Sequence, residues 1–343
     1  MNKEIVTIDD LLDEKGNIKH PGYSKHMVQL YDRNMIKAGK FRIKEWDYYL
    51  IYNDHFGIAL TIDDNSYMGL SSCTFIDFDK KTERTLTKMK LLTLGKIGLP
   101  STSSKGNVFF KKHNFFIGFE NDGKIRKIII DIKNFVPNKD IKGTISLTEP
   151  PEESMVIMTP FNKDKHFYYN QKIVGLKAEG KIYIGEDEYD FSKNDTRAIL
   201  DWGRGVWTYK NTWYWGGACF RQDGYEIGFN IGYGFGDTKM ATENMLFING
   251  KAHKIDKVMF NIPQDTEGKD DYMKPWTFSS NDGRFDMQFE PIIDRFSDIN
   301  LHFLRSNQHQ VFGYYSGTLT YDTKDKIEIK RKLGFAEKVI NKW

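Results

Sequence analysis

The sequence predicts an all-β protein made of two antiparallel, barrel-like domains. Three observations carry this reading. Tight-turn signals recur along the chain, short runs of alternating polar and apolar residues lie between them, and aromatic residues make up 15% of the total. Asn-Gly and Asp-Gly pairs tolerate the positive φ that tight hairpins require. Rings pack best on pleated surfaces and in ligand cavities rather than on helix faces. No strand–helix alternation of the βαβ kind interrupts the pattern, which excludes a Rossmann or TIM architecture.

Residues 1–20 read as an N-terminal extension. MNKEIVTIDDLLDEKG has no apolar stretch and carries acids early, so it is no signal peptide. Thr7 is expected to cap a short helix before Leu12, and Ser24 another over 25–38. The β region begins with GKFRIKEWDYYLI and SYMGLSSCTFIDF. Asn121-Asp122-Gly123 then separates NFFIGFE from KIRKIIIDI as a hairpin. The segment SLTEPPEESMVIMTPFNKDK (146–165) holds three prolines and several acids. It is taken as the boundary between a first β domain, 21–150, and a second, 151–343. Beyond it, Glu179-Gly180, Asn249-Gly250, Asn281-Asp282-Gly283 and Asp322 to Lys326 are read as turns, with alternating runs such as KIYIGEDEYDF and GTLTYD between them.

Composition bounds the function. A chain of 343 residues suits about two domains. Lys plus Arg (50) nearly balances Asp plus Glu (47), giving a formal charge of +3. That balance lacks the concentrated basic face a nucleic-acid partner demands. The short clusters Lys124-Ile125-Arg126-Lys127 and Lys330-Arg331-Lys332 read as solvated strand ends. The two cysteines, Cys73 and Cys219, suggest no disulfide framework. No run approaches the roughly 20 apolar residues of a membrane span. The expectation is a soluble, cytoplasmic protein.

Chemistry concentrates in AILDWGRGVWTYKNTWYWGGA (198–218), which holds four of the seven tryptophans. On a continuous strand Asp201, Trp207 and Tyr209 share one face, and Trp202 and Arg204 the other. Trp213 and Trp215 share a face in the next run. In GYEIGFNIGYGFGDTKMATENMLF (224–247), Phe229, Ile231, Tyr233 and Phe235 alternate with Gly228, Asn230, Gly232, Gly234 and Gly236. The glycine face is nearly bare backbone, and a void there would cost stability. Either tryptophans fill it, as aromatic rings do over sheet glycines, or a ligand does. Asp201, Arg204, Asn230, Asp237, Glu243 and Asn244 are costly to bury unless paired or used. An Asp201–Arg204 ion pair and a plain turn role for Asp237 are the bland alternatives. A carboxyl in a ring-lined, apolar pocket would have a raised pKa and could donate a proton near neutral pH.

Other chemistries find no support. GYGFG lacks the spacing of a phosphate-binding loop. The eight histidines are scattered, so no metal site is expected. Neither cysteine has a histidine nearby in sequence to support a thiol nucleophile.

DWGRGVWTYKNTWYWGGA, GFNIGYGFGDTKMATENMLFINGKAHKI, VFGYYSGTL and LGFAEKVINKW resemble the bacterial domain of unknown function 2804 (DUF2804) family, from about residue 20 to the end. That family is similar to the paired lipocalin-like barrels of AttH, carotenoid hydratases of the hydroxyneurosporene synthase type, and tocopherol cyclase. The resemblance implies two lipocalin-like (calycin-type) barrels. It implies more weakly a hydratase, lyase or cyclase chemistry on an apolar molecule, since one fold hosts many functions. No catalytic carboxylate carries over residue by residue.

The combined expectation is a cofactor-free enzyme working by proton transfer. Glu243 or Asp201 would be the acid, Arg204 its orienting cation. Trp202, Trp207, Trp213 and Trp215 would form walls whose π faces stabilise positive charge. Tyr209, Asn230, Tyr233, Asp237 and Asn244 complete the candidate ligand site. The stretch is expected to line the cavity of the C-terminal barrel. The rivals are a non-catalytic lipocalin-like carrier, a carbohydrate-processing protein with tryptophan platforms and paired carboxylates, and a scaffold without a pocket.

Overall fold

The alternation read from the sequence is realised as two large antiparallel sheets, seen in a computed structural model that describes residues 2–301, 304–322 and 325–342. Residues 2–42 contribute short strands β1 (Asp9–Asp10) and β3 (Gln29–Leu30), which pair only with each other, β2 (Gly22–Ser24), which joins the first sheet, and two 3-10 turns, Arg33–Met35 and Lys40–Arg42. The first sheet continues with β4 (Ile43–Tyr52), β5 (Phe56–Asp64), β6 (Met68–Asp77), β7 (Thr82–Leu91), β8 (Val108–Lys112), β9 (Phe115–Asn121), β10 (Arg126–Val136) and β11 (Lys139–Thr148). It is completed by β12 (Met155–Pro160), β13 (Phe167–Ile184), β14 (Asp187–Phe191) and β15 (Arg197–Val206). Its main path runs β7-β6-β5-β4-β15-β13-β11-β10-β9-β8, with β12 and β14 paired to β13 and β2 to β12.

The second sheet holds β16 (Lys210–Gln222), β17 (Tyr225–Tyr233), β18 (Met245–Ile248), β19 (Lys251–Lys254), β20 (Val258–Asn261), β21 (Trp276–Ser280), β22 (Phe285–Leu301), β23 (Leu304–Thr320) and β24 (Lys326–Lys342). Its order is β19-β18-β17-β16-β24-β23-β22-β21-β20. One sheet closes almost into a barrel and the other into a half-barrel. Among the described residues no helix is long and apolar enough to cross a membrane.

Strand alternation divides the apolar residues into three cores. Tyr49, Ile51, Leu60, Ile117, Ile130 and Trp202 lie on the inner face of the first sheet. Phe229, Ile231, Trp276, Phe289 and Tyr315 do so in the second. The third core lies where the outer faces meet. Tyr48, Leu50, Tyr168, Val174 and Ile199 of the first sheet pack there against Trp215, Cys219, Met245, Phe247 and Phe335 of the second.

Several expectations need correction. The chain passes from sheet to sheet between Val206 and Lys210, not near residue 150. β11 ends just before Pro150 and Pro151, but β11 and β12 both pair with β13, an 18-residue strand. The prolines end a strand, not a sheet. Neither predicted helix forms. Val156 pairs with Ser24 and Asp9 pairs with Gln29, so sheet pairing claims the segments that cap signals marked as helical. Glu179-Gly180 is no turn, since it lies inside β13 and pairs with β11. The hairpins at 121–123, 249–250 and 281–283 do form, whereas part of the Asp322 to Lys326 turn lies outside the described residues. Both cysteines are free and buried.

Candidate active site

Alternation along β15 and β16 sends the tryptophan-rich stretch to two places. Trp202 and Arg204 point into the first sheet's inner core. Arg204, fully buried, donates to Asp47 Oδ1 at 3.0 Å and to the carbonyls of Trp46, Gly203 and Pro100, with its guanidinium 4.1 Å from the Trp202 ring centre. Arg204 is therefore the partner of Asp47, not of Asp201, and it orients no acid of the candidate site.

Asp201 faces the other way, towards the second sheet. Lys172 is its register partner on β13 and Tyr48 its partner on β4. Lys172 Nζ lies 2.8 Å from Asp201 Oδ2, and Asn170 Nδ2 donates to Oδ1 at 2.6 Å. The facing rung of the second sheet is Gln310, Glu337, Trp215 and Gly232, consecutive register partners across β23, β24, β16 and β17. The two rungs touch. Lys172 Nζ sits 3.8 Å from the Trp215 ring centre, and the Tyr48 hydroxyl donates to Gln310 Oε1 at 3.3 Å.

Three carboxyls share this space. Glu337 accepts from Trp213 Nε1 (3.0 Å) and Gln310 Nε2 (3.1 Å). Burial pushes its carboxyl up to about 7, against the pull of the Trp213 hydrogen bond and of Lys172. Burial also raises Glu243, with Lys172 opposing and the Asp201 charge adding to the rise. The Tyr168 phenol is raised by burial and then by the charges of Glu243, Asp201 and Glu337. Arg295 and Lys254 also bear on Glu337 and Glu243 respectively, yet burial still outweighs the nearby cations in raising both acids. Tyr48, Asp201 and Glu337 are buried, each keeping 8% exposure.

The bare glycine face lies against this junction. A Cβ on Gly228 would meet Val174 Cγ1 of the first sheet at 2.7 Å, and one on Gly232 would meet Glu243 Oε1 at 2.9 Å. The glycines thus admit the opposing sheet and an acid. The expected cavity of the C-terminal barrel is not where the tryptophans gather, because the second sheet's inner face is filled by Phe229, Ile231 and their neighbours. Phe235 leaves their company. The strand ends at Tyr233, and Phe235 crosses to stack edge-on with Trp207 (4.8 Å), Tyr168 (4.7 Å) and Trp213 (5.2 Å).

The structure thus brings Asp201, Glu243, Trp207, Trp213, Trp215 and Asn230 together. Asn230 accepts from Trp215 Nε1 (2.7 Å) and donates to the Glu243 carbonyl (2.8 Å). Trp207 packs on Trp46 and Trp213, and its ring N–H is buried with no acceptor. It does not bring in Arg204, Trp202, Tyr209, Tyr233, Asp237 or Asn244. Tyr209 is exposed. Tyr233 stacks on Tyr214 on the second sheet's inner side. Asn244 staples the Gly232 amide to the Asp256 carbonyl. Asp237 caps a turn by accepting from the Lys239 amide. It lines a separate, polar surface cavity of about 430 Å³ with Thr238, Lys239, Thr242 and Asp256. No three metal-ligating side chains converge among the described residues.

Sequence reasoning missed Lys172, Glu337, Tyr48, Tyr168, Gln310 and Asn170. The signal for Glu337 was available: it stands on the same face as Leu333, Phe335 and Val339, a lone acid in an apolar row. Lys172 stands likewise between Tyr168, Asn170 and Val174.

The family model described as Domain of unknown function (DUF2804) matches residues 2–343. No curated protein matches the chain. Among solved structures, an AttH candidate from Nitrosomonas europaea is similar with a TM-score of 0.54 at 11% identity, covering 90% of this chain and 95% of that one. CghA, solved with Sch210972, gives 0.52 at 9%, covering 97% of each chain. Kievitone hydratase from Nectria haematococca gives 0.48 at 9%, covering 98% of each. At such identities the likeness is one of fold.

Proposed function

This chain belongs to the DUF2804 family over residues 2–343, and from that premise and the junction just described we propose that it is an acid–base enzyme acting on a small, largely apolar molecule held between the two sheets. The observation that carries the reading is the convergence of Asp201, Glu243 and Glu337 on one buried lysine, Lys172, amid Trp207, Trp213, Trp215, Tyr48 and Tyr168. Burial keeps Glu337 protonated up to about pH 7, while Asp201 stands in an ion pair with Lys172 at 2.8 Å. A proton donor and an ion-paired acceptor thus stand in one site.

A proton from Glu337 to an alkene carbon forms a C–H bond from the π electrons and leaves a cation on the neighbouring carbon. The tryptophan faces lower the energy of that cation. Asp201 then takes a proton, either from water attacking the cation or from an adjacent carbon. The outcomes are hydration and isomerisation or cyclisation. The proton's return to Glu337 closes the cycle. The orphaned Trp207 N–H offers one hydrogen bond to a polar group on the ligand. CghA, alike in fold alone, was solved with Sch210972, which supports a small-molecule role for the architecture.

The test is capture of lysate metabolites on the purified protein, identified by mass spectrometry, with Glu337→Gln and Asp201→Asn in parallel. An apolar alkene that the wild type converts and the variants retain unconverted supports the proposal. A bound molecule that neither protein converts identifies a carrier. A retained sugar, or nothing retained, overturns the reading.

A further inference from the structure

We propose that the rim of the first sheet, carried by β7, the loop after it and β8, is a docking surface for an anionic phospholipid bilayer; this is independent of the reaction proposed above. The rim combines protruding leucines, a rigid mount and a concentrated positive charge.

The leucines come first. Leu91 is 81% exposed and Leu92 59% exposed, and Leu94 and Met89 are exposed beside them. Lone surface leucines need no explanation, but a run of them does. Leu92 and Leu94 also hold φ of 53° and 51°, a region that non-glycine residues enter at a cost. The backbone is therefore strained in the conformation that turns two leucines towards solvent.

The mount is the buried carboxylate of Asp64. Its Oδ1 accepts from Thr93 Oγ1 (2.8 Å), and its Oδ2 from the Gly95 amide (2.9 Å) and the Ile97 amide (3.3 Å). The Leu92 and Leu94 amides are bonded to the carbonyls of Tyr67 and Ser66. Thr93 is drawn inward and its two neighbours outward, so little order remains to be lost on binding. β8 extends the patch. Lys112 Nζ reaches the Met89 carbonyl at 2.5 Å and Lys90 Nζ lies over the Phe110 ring, while Phe109 is exposed on β8's outer face.

The charge decides the occupant. Residues 81–113 hold eight Lys and Arg against one acid, Glu83. With the whole chain at only +3, the remainder is net acidic, so this segment carries more than the whole of the chain's positive excess. Lysines on an edge strand commonly protect against edge-to-edge pairing. Protection does not explain strained, outward leucines, whereas apolar side chains framed by lysines are what an anionic interface binds. A second copy of this chain would bring like charges together.

The experiment is co-sedimentation with vesicles of phosphatidylglycerol mixed with phosphatidylcholine, against pure phosphatidylcholine. Wild-type protein should bind the anionic vesicles, not the neutral ones, and binding should fall with added salt. Leu91→Ser with Leu92→Asn, and separately Lys96→Glu with Lys111→Glu, should each weaken it roughly tenfold or more at unchanged melting temperature, because all four side chains are exposed. Absence of binding to anionic vesicles, binding equal on both vesicles, or binding untouched by either double variant would overturn the proposal. So would a leucine-dependent dimer in sedimentation velocity without vesicle binding, which would assign the patch to a second copy.

Discussion

Glu337→Gln separates the charge of the candidate acid from its shape. An exposed glutamate ionises near 4.3, and burial raises Glu337 to about 7. Ionising it in the folded protein therefore costs about 3–4 kcal/mol more than in the unfolded chain. Because the folded pKa is the higher one, its stabilising contribution is complete below about pH 4 and is lost as pH rises through about 7. Glutamine removes that loss. It also removes an acceptor: both carboxyl oxygens receive N–H bonds, from Trp213 and Gln310, and an amide has one acceptor oxygen, a cost of about 1 kcal/mol. The Gln310 amide cannot simply turn over, since its oxygen already accepts from Tyr48 and Arg295. At pH 5 the wild type has already lost about 1 kcal/mol of that contribution, so the variant should be about as stable as wild type there and about 2–3 kcal/mol more stable at pH 8. Urea titrations followed by tryptophan fluorescence at both pH values measure this. A stability difference of the same sign and size at both would refute the placement of a protonated acid between the sheets.

Three further outcomes follow from the geometry. Lys172→Met removes the cation paired with buried Asp201 and should cost about 3–5 kcal/mol at pH 8, with a smaller loss at pH 5, where Glu337 is protonated; equal losses in thermal or urea unfolding at the two pH values would contradict the cluster. Arg204→Met breaks the pair with Asp47 and should cost a similar amount, yet any ligand captured by the wild type should bind the folded variant unchanged in calorimetry. In Gly203→Ala the new Cβ would stand 1.9 Å from the Trp46 ring; the melting temperature should fall by the equivalent of about 1–3 kcal/mol or more, and an unchanged melt would mean Trp46 is not fixed there.

The fold was largely legible because β structure writes itself locally. Asn121-Asp122-Gly123 and Asn249-Gly250 are turns for reasons contained in three or four residues, and the alternation of Phe229, Ile231 and Tyr233 marks one buried face. What failed was whatever depends on the partner strand. Ser24 looks like a helix cap until Val156 pairs with it. Glu179-Gly180 looks like a turn until β11 and β13 extend across it. For the site, Asp201 does face away from Trp202 and Arg204, but the strand ends at Val206 before Trp207 and Tyr209, and a face carries no label saying what covers it. Asp201 and Arg204 were coupled because they are neighbours in sequence, whereas their partners lie 29 and 157 positions away, at Lys172 and Asp47. Lys172 and Glu337 acquire meaning only when two sheets place them on opposing rungs.

That opposition makes the chemistry a property of the assembled pair. The first sheet supplies Asp201 with its lysine, and the second supplies Glu337 and Glu243 with the tryptophan bearing on that lysine. In either half alone these side chains would stand in water, where a carboxyl and an ammonium behave as they do in any peptide. The altered acidity is manufactured by contact, much as two halves of a mould define a shape that neither contains. A one-residue slip of β13 or β24 within its own sheet would send Lys172 or Glu337 to the opposite face, taking it out of the seam. The seam therefore sets activity by alignment, and selection on either half is felt through the other.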